Sequence, residues 1–327
     1  MIEKLITEML QDFVTQTATD VYFMPQDSDF EIKILAQNNL KIYRRIPQNF
    51  GMQIINYLKF RAGLMLSEHR RPQTGSLVFD GLQASNHKVF GRISTVGDFQ
   101  GKESMVIRLI YQLPLMQDSF FFENQYQFLK QQLQSKGLIL FCGPVSSGKT
   151  TTMYQLANLC RQQQVMTIED PVEIYEPTFL QLQVNEKAGM TYLNLLKAAL
   201  RHHPDLLIIG EIRDQATAQA VFDAALSGHL VFTTIHADCA ASALRRLLDW
   251  QIPAADVAAA VRVVNYQRLL PTIDQSFKVL CEQMVVDQTS LTTLSSSSIS
   301  AEWGQQLNEC FQNNWISLST KKAFTAG

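Results

Sequence analysis

Ile2, Leu5, Ile6, Met9, Leu10 and Phe13 recur at helical spacing and predict an opening amphipathic helix packed on its own domain. Short apolar runs follow: Asp20–Pro25, Glu31–Leu35 and Lys41–Tyr43 predict strands, and Met52–Met65 predicts a helix. Ser76–Asp80, Val89–Thr95 and Ser104–Tyr111 read as later strands, punctuated by Gly75 and Gly81. Residues 1–115 therefore read as an α+β domain that ends at Pro114. Residues 116–136 read as a linker and connecting helix, glutamine-rich over Phe120–Gln134.

From residue 137 onward, strand and helix patterns alternate, the mark of an α/β fold with a parallel-rich sheet. Strands are predicted at 137–142, 164–169, 205–210 and 230–235, and helices at 150–161, 190–203, 214–227, 239–249 and 254–268. Thr289–Ser300 is low in complexity, with Ser295–Ser298 consecutive, and reads as a flexible loop. Trp303, Leu307, Phe311 and Trp315 recur every four residues and predict a closing helix, so the second domain spans 137–327 with a C-terminal helical tail.

Composition narrows the class. The 28 basic and 30 acidic residues leave a net charge of −2, which gives no global pull toward nucleic acid or anionic lipid. No apolar run approaches the roughly 18 residues of a membrane-spanning helix. Glu3 and Glu8 interrupt any signal-peptide core. The five cysteines contain no C-x-x-C pair, so reduced thiols are expected, and neither zinc nor a disulfide framework is.

The predicted strand at 137–142 runs into Gly143, Pro144, Val145, Ser146, Ser147, Gly148, Lys149 and Thr150, with Thr151 continuing into a helix. This satisfies G-x-x-x-x-G-K-[ST] in a strand–loop–helix setting, the phosphate-binding loop (P-loop) of nucleotide triphosphatases. Backbone N–H groups and the positive end of the helix dipole favour phosphates there. Lys149 is expected to reach the terminal phosphates and Thr150 to ligate Mg²⁺. Ser146 stands where many such loops carry a glycine.

Asp205-Leu-Leu-Ile-Ile-Gly-Glu211 is an apolar strand ending in a carboxylate. The equivalent strand is expected beside the P-loop strand, which makes Glu211 the first candidate for holding or activating water. Glu169, Asp170 and Glu173 form a second strand-end acid cluster; turn chemistry is the plainer alternative. Glu169 and Glu211 are further candidates for the metal environment, through water. Gly228-His-Leu-Val-Phe-Thr-Thr-Ile-His236 puts His229 and His236 at either end of another strand, as candidate phosphate sensors or as structural histidines. In the first domain Arg70, Arg71, Arg92 and Arg108 are either solvated surface groups or phosphate ligands across a boundary.

Together the P-loop, the acidic box TIEDPVE, the segment LLIIGEIRD and the histidine box GHLVFTTIHA resemble the secretion and type IV pilus ATPase family. QVNEKAGMTY, NYQRLL, DVYFMP and RRPQTG extend the resemblance over roughly residues 15–285. It implies a RecA-like P-loop ATPase domain behind a smaller PAS-like domain, with ATP and Mg²⁺ as cofactors and usually a homo-hexameric ring. It implies nucleotide contacts for Arg92 and Arg108, with Arg70 as a further candidate, a catalytic role for Glu211, and family positions for Glu169, Arg201 and Arg213. The expected sequence is short, lacking the long N-terminal extension and tetracysteine zinc insert of other branches. His202 and His203 depart from the usual pattern, and the tail after 285 matches nothing recognisable.

The short form resembles the competence pilus or pseudopilus assembly branch of Gram-positive bacteria. It implies a cytoplasmic motor on the inner face of the membrane, working on a polytopic inner-membrane platform protein for DNA uptake. A pilus-retraction or type II secretion ATPase is the near alternative. A DNA-translocating motor is disfavoured because no basic, aromatic-laced stretch is present.

Overall fold

The computed structural model describes residues 2–36, 39–79, 89–111, 119–292 and 299–327. Gly81, the expected border near residue 116 and residues 293–298 of the expected loop lie outside the described residues, whereas 289–292 of that loop belong to a short helix, Gln288–Thr292. The chain divides into two units, Met1–Gln112 and Leu113–Gly327.

The first unit runs α1 (Ile2–Thr15), β1 (Ala18–Pro25), β2 (Asp29–Ala36), β3 (Asn39–Pro47), α2 (Gln48–Arg61), β4 (Gln73–Phe79), β5 (Val89–Gly97) and β6 (Glu103–Ile110). The strands form one antiparallel sheet in the order β3-β2-β1-β6-β5-β4. Ile6, Met9, Leu10 and Phe13 of α1 and Ile54, Ile55 and Leu58 of α2 share a core with the inward residues of the strands. Helix α2 crosses β2 at Gly51, where an added Cβ would sit 2.3 Å from the Phe30 ring.

That helix lies about four residues earlier than Met52–Met65. Gly63 explains the stop: at φ +67° its N–H bonds Phe60 O while Leu64 N–H bonds Lys59 O. These two bonds close a Schellman turn, which favours glycine at its left-handed position.

The second unit contains α3 (Glu123–Gln132), β7 (Gly137–Cys142), α4 (Lys149–Ala157), β8 (Val165–Glu169), β9 (Leu180–Gln183), α5 (Tyr192–Leu200), β10 (Leu206–Ile209), α6 (Gln215–Leu226) and β11 (Leu230–Ile235). It continues with α7 (Ala240–Asp249), α8 (Ala254–Ala260), β12 (Val261–Pro271), β13 (Phe277–Val285), α9 (Gln288–Thr292), α10 (Ala301–Gln312) and α11 (Leu318–Ala323). The sheet order is β13-β12-β7-β11-β10-β8-β9. All neighbours are parallel except β12 and β13. Every residue of β7, β10 and β11 is buried, as strands covered on both faces require.

Four expectations are corrected here. The helix over 254–268 ends at Ala260, and Val261–Pro271 is strand β12. The alanines before residue 261 favour helix, whereas Val261, Val263, Val264 and Tyr266 favour a buried strand. Strand β10 does not adjoin β7, because β11 lies between them. Trp315 lies beyond α10, whose buried residues are Trp303, Leu307 and Cys310, and stacks on Phe121. The connecting helix is shorter than Phe120–Gln134. Its leading residues instead extend the sheet: Phe121 N–H bonds Val279 O, and Val279 N–H bonds Ser119 O, along the outer edge of β13.

Candidate nucleotide site

Strand β7 delivers the chain to Gly143 at the carboxyl edge of the parallel sheet. Gly143 takes φ +138° and Gly148 φ +83°, and an added Cβ on Gly143 would lie 2.4 Å from Gln267 O. Both glycines are thus required by the turn. Ser146 also adopts a positive φ, +62°, at a cost of about 1 kcal/mol for a non-glycine residue. Among the described residues, the N–H groups of Ser147, Gly148, Lys149 and Thr150 make no hydrogen bond. They are the free donors expected at a helix N-terminus, here that of α4.

Lys149 is buried, and its Nζ donates to the carbonyls of Gly143 (3.0 Å) and Pro144 (2.7 Å). Burial lowers its pKa, while Cys142, Glu173 and Glu211 act in the opposite sense. The Ser147 hydroxyl is buried without a partner among the described residues. A buried ammonium, an orphan hydroxyl and four free N–H groups around a glycine turn fit a polyphosphate. For Mg²⁺ the fit is that of a hard ion held by few protein oxygens. Thr150 Oγ1 is available as a ligand and presently donates to Glu173 Oε2 at 2.8 Å. Among the described residues, no three His, Cys, Asp or Glu side chains form a metal cage.

Three strand ends bring in the acids. Gly210 N–H bonds Ile168 O at 2.8 Å, Thr234 Oγ1 donates to Gly210 O at 2.7 Å, and Ile212 N–H bonds Thr234 O at 2.9 Å. These bonds fix the backbone on either side of Glu211. The Glu211 carboxylate is held by the Arg213 guanidinium and lies 3.4 Å from His236 Nε2. Arg213 also donates to Asp170 Oδ2 at 3.1 Å, joining the two acid clusters. Arg246 in turn donates to the His236 carbonyl at 2.9 Å.

Glu169 differs from Glu211. It is only 3% exposed, accepts a 2.5 Å hydrogen bond from Tyr154 Oη, and burial raises its pKa. Gln181 donates to the same phenol oxygen at 2.7 Å. Tyr154 and Gln181 thus brace one carboxylate, and Arg213 and His236 the other.

The structure brings together Gly143 to Thr151, Glu169, Glu173, Glu211, Arg213 and His236. It does not bring in His229 or Arg201. His229 precedes β11, its carbonyl bonded to Gly137 N–H at the start of β7 and its Nδ1 3.1 Å from Ala224 O. Arg201 follows α5 just before β10. Both stand at the amino ends of the strands, opposite the P-loop, because a residue before a parallel strand and one after it lie at opposite edges of the sheet.

Arg92 and Arg108 belong to the first unit, where they face each other across β5 and β6. Arg108 Nε donates to Asp20 Oδ1 at 3.0 Å. Arg70 and Arg71 lie in a loop whose N–H groups bond the Glu68 carboxylate at 2.9 and 3.0 Å. Tyr154, Gln181, Asn265 and Gln267 were not picked out by motif spacing. The last two lie in NYQRLL, a segment of the resemblance that attaches no role to them; the further signal was a pair of amides inside the apolar run of Val261–Pro271.

The chain is similar to several known proteins. Competence protein ComGA of Streptococcus pneumoniae is 42% identical over 273 residues, covering 83% of this chain and 85% of that protein. ComGA of Bacillus subtilis is 33% identical over 317 residues, covering 95% and 88%. Among solved structures, the ATPase DotB of Legionella pneumophila gives a TM-score of 0.77 at 19% identity, covering 99% of this chain and 95% of that one. The pilus retraction motor PilT with bound ADP gives 0.73 at 20% identity, covering 97% and 96%. At that level of identity, the two structures support the fold alone. The family model described as "Type II/IV secretion system protein" matches residues 1–310, reaching through most of α10 and beyond the segment recognisable by motif. By that match and by its identity to the two competence proteins, the chain belongs to the type II/IV secretion system protein family.

Proposed function

We propose that this chain is an ATP-hydrolysing motor that drives assembly of a competence pilus for DNA uptake. The observation that carries the reading is the P-loop: four free N–H groups and buried Lys149 at the same sheet edge as Glu211, in a chain 42% identical to a competence protein. Lys149 leaves its two loop carbonyls to bind the terminal phosphates. Glu211, oriented by Arg213 and His236, accepts a hydrogen bond from the attacking water. Glu169 and Glu173 complete the acidic surroundings. Bound Mg²⁺, on Thr150, would neutralise charge on the phosphates.

Arg92 and Arg108, with Arg70, are proposed to supply the further positive charge that phosphoryl transfer calls for. The working form is proposed to be a homo-hexameric ring in the cytoplasm, on the inner face of the membrane, engaging a polytopic platform protein. Among the described residues, no helix is long and apolar enough to cross a membrane.

The test is ATP turnover by the purified chain with Mg²⁺, beside the variant Lys149→Ala. The variant should lose at least about 100-fold in rate while keeping its melting temperature. In the host, deletion of the gene should abolish both pili and DNA uptake, and a Lys149→Ala copy should restore neither. Turnover at the parental rate in Lys149→Ala would overturn the assignment; pili that form but fail to retract would point to a retraction motor.

A further inference from the structure

Two amides stand inside an otherwise apolar strand. Asn265 and Gln267 on β12 are fully buried, beside the P-loop strand, where amides are uncommon. Gln267 Nε2 donates to the Ser147 carbonyl at 2.8 Å. Its Oε1 accepts from Asn265 Nδ2 at 3.2 Å. Asn265 Oδ1 accepts from Gln283 Nε2 on β13 at 3.0 Å, and the same Gln283 nitrogen donates to Gln125 O on α3 at 2.9 Å. Gln267 also sets the shape of the loop: its carbonyl crowds the Cβ position of Gly143, and its Nε2 lies 3.3 Å from that of Gly148.

From Gln283 inward, every link is an N–H donating toward the P-loop. Amide hydrogen bonds arranged in line polarise one another and strengthen. The last donor acts on the Ser147 carbonyl, which shares its peptide group with the Gly148 N–H. Electron density drawn to that oxygen leaves the Gly148 N–H a stronger donor, and this is one of the N–H groups without a protein partner among the described residues.

We infer that Gln267 is a positioning residue for the phosphate cradle, and that the relay Gln283–Asn265–Gln267 sets the orientation and donor strength of the Ser147–Gly148 peptide toward a polyphosphate. The inference rests on the proposal that this loop binds ATP. An amide cluster that only fills the core would affect stability and leave phosphate affinity alone. The relay makes affinity depend on Gln283, which lies on β13, two strands from the P-loop strand.

The test uses the full chain, with ATP affinity by calorimetry, steady-state KM and kcat, and melting temperature measured on each variant. Gln267→Leu should weaken ATP binding about tenfold, the effect of one lost hydrogen bond, with KM rising more than kcat falls. Gln267→Glu, which keeps the length and the acceptor for Asn265 but loses the donor, should weaken it at least as much. Gln283→Met should weaken binding about threefold. The double variant Gln267→Leu/Gln283→Met should be no weaker than Gln267→Leu alone, because the relay is already cut. Unchanged ATP affinity in folded Gln267→Leu, or fully additive losses in the double variant, would overturn the inference. Should Gln267→Leu fail to fold, unchanged affinity in Gln283→Met would overturn it too. Absence of ATP binding by the parental chain would instead remove the nucleotide reading and this inference with it; normal binding by parent and variants alike removes only the relay.

Discussion

The hydroxyl of Thr150 donates to the Glu173 carboxylate at 2.8 Å, so the residue proposed to ligate Mg²⁺ is already oriented by an acid from another segment. That acid follows β8 in the chain, and Thr150 opens α4. Outer partners of metal ligands typically change metal affinity by 10–100-fold when removed. Glu173→Ala should therefore raise the Mg²⁺ concentration for half-maximal ATP turnover by about tenfold. Thr150→Ala should raise it further, and chelation of Mg²⁺ should stop turnover. A Mg²⁺ titration of the three proteins checks this; identical midpoints would free Glu173 from any metal role.

Glu211 is held by Arg213 and faces His236. Glu211→Gln keeps the shape and loses the charge. It should still bind ATP and should hydrolyse it about 10²–10⁴-fold more slowly. Calorimetry and a phosphate-release assay separate the two effects. Parental turnover would make Glu211 structural and pass its role to Glu169 or Glu173.

Arg92 and Arg108 lie directly opposite each other, an arrangement that like charges oppose. Among the described residues, the Arg92 side chain has no hydrogen bond or ion pair. Arg92→Ala should therefore cut turnover by about 10³, as loss of an arginine finger does, with no fall in melting temperature. Arg108→Ala should match that loss of rate and also destabilise by about 1 kcal/mol, since it strips the partner from largely buried Asp20. Full activity in both would leave the second unit to act alone.

Glu169 carries a raised pKa because burial penalises its charge. A raised carboxyl pKa means that the folded state holds the proton longer than the unfolded state. Stability from this group is therefore fully present below its unfolded value near 4.5 and is lost as pH rises from there through the folded value. Glu169→Gln removes that loss and can still accept from Tyr154. Its melting temperature relative to the parent should climb as pH rises above about 4.5 and then level off. A constant difference across the pH range would show that Glu169 is not desolvated in solution.

Much of this was legible in the residues. The P-loop and the strand-end acids announce themselves because phosphate chemistry ties residue types to fixed spacing, and the four central strands are largely apolar. The position of β11 between the P-loop strand and Glu211 was not legible, since spacing along a chain does not give strand order. His229 was misplaced for a related reason: the pattern marks both ends of a strand without saying which edge carries the chemistry. Strand β12 was hidden by the alanines of α8, which carry a helical pattern up to its first valine. The relay through Gln283 could not be read at all, because it joins residues from three separate elements.

Strand β13 ends the second unit's sheet, and an uncovered outer strand is a template for unwanted pairing between molecules. Here Ser119 and Phe121 occupy the backbone groups of Val279, and Gln125 bonds both the N–H and the carbonyl of Cys281. The stretch before the P-loop strand is therefore a guard against aggregation as well as a connector. A shortened protein that began at Gly137 would retain every residue of the phosphate cradle and yet be prone to precipitate.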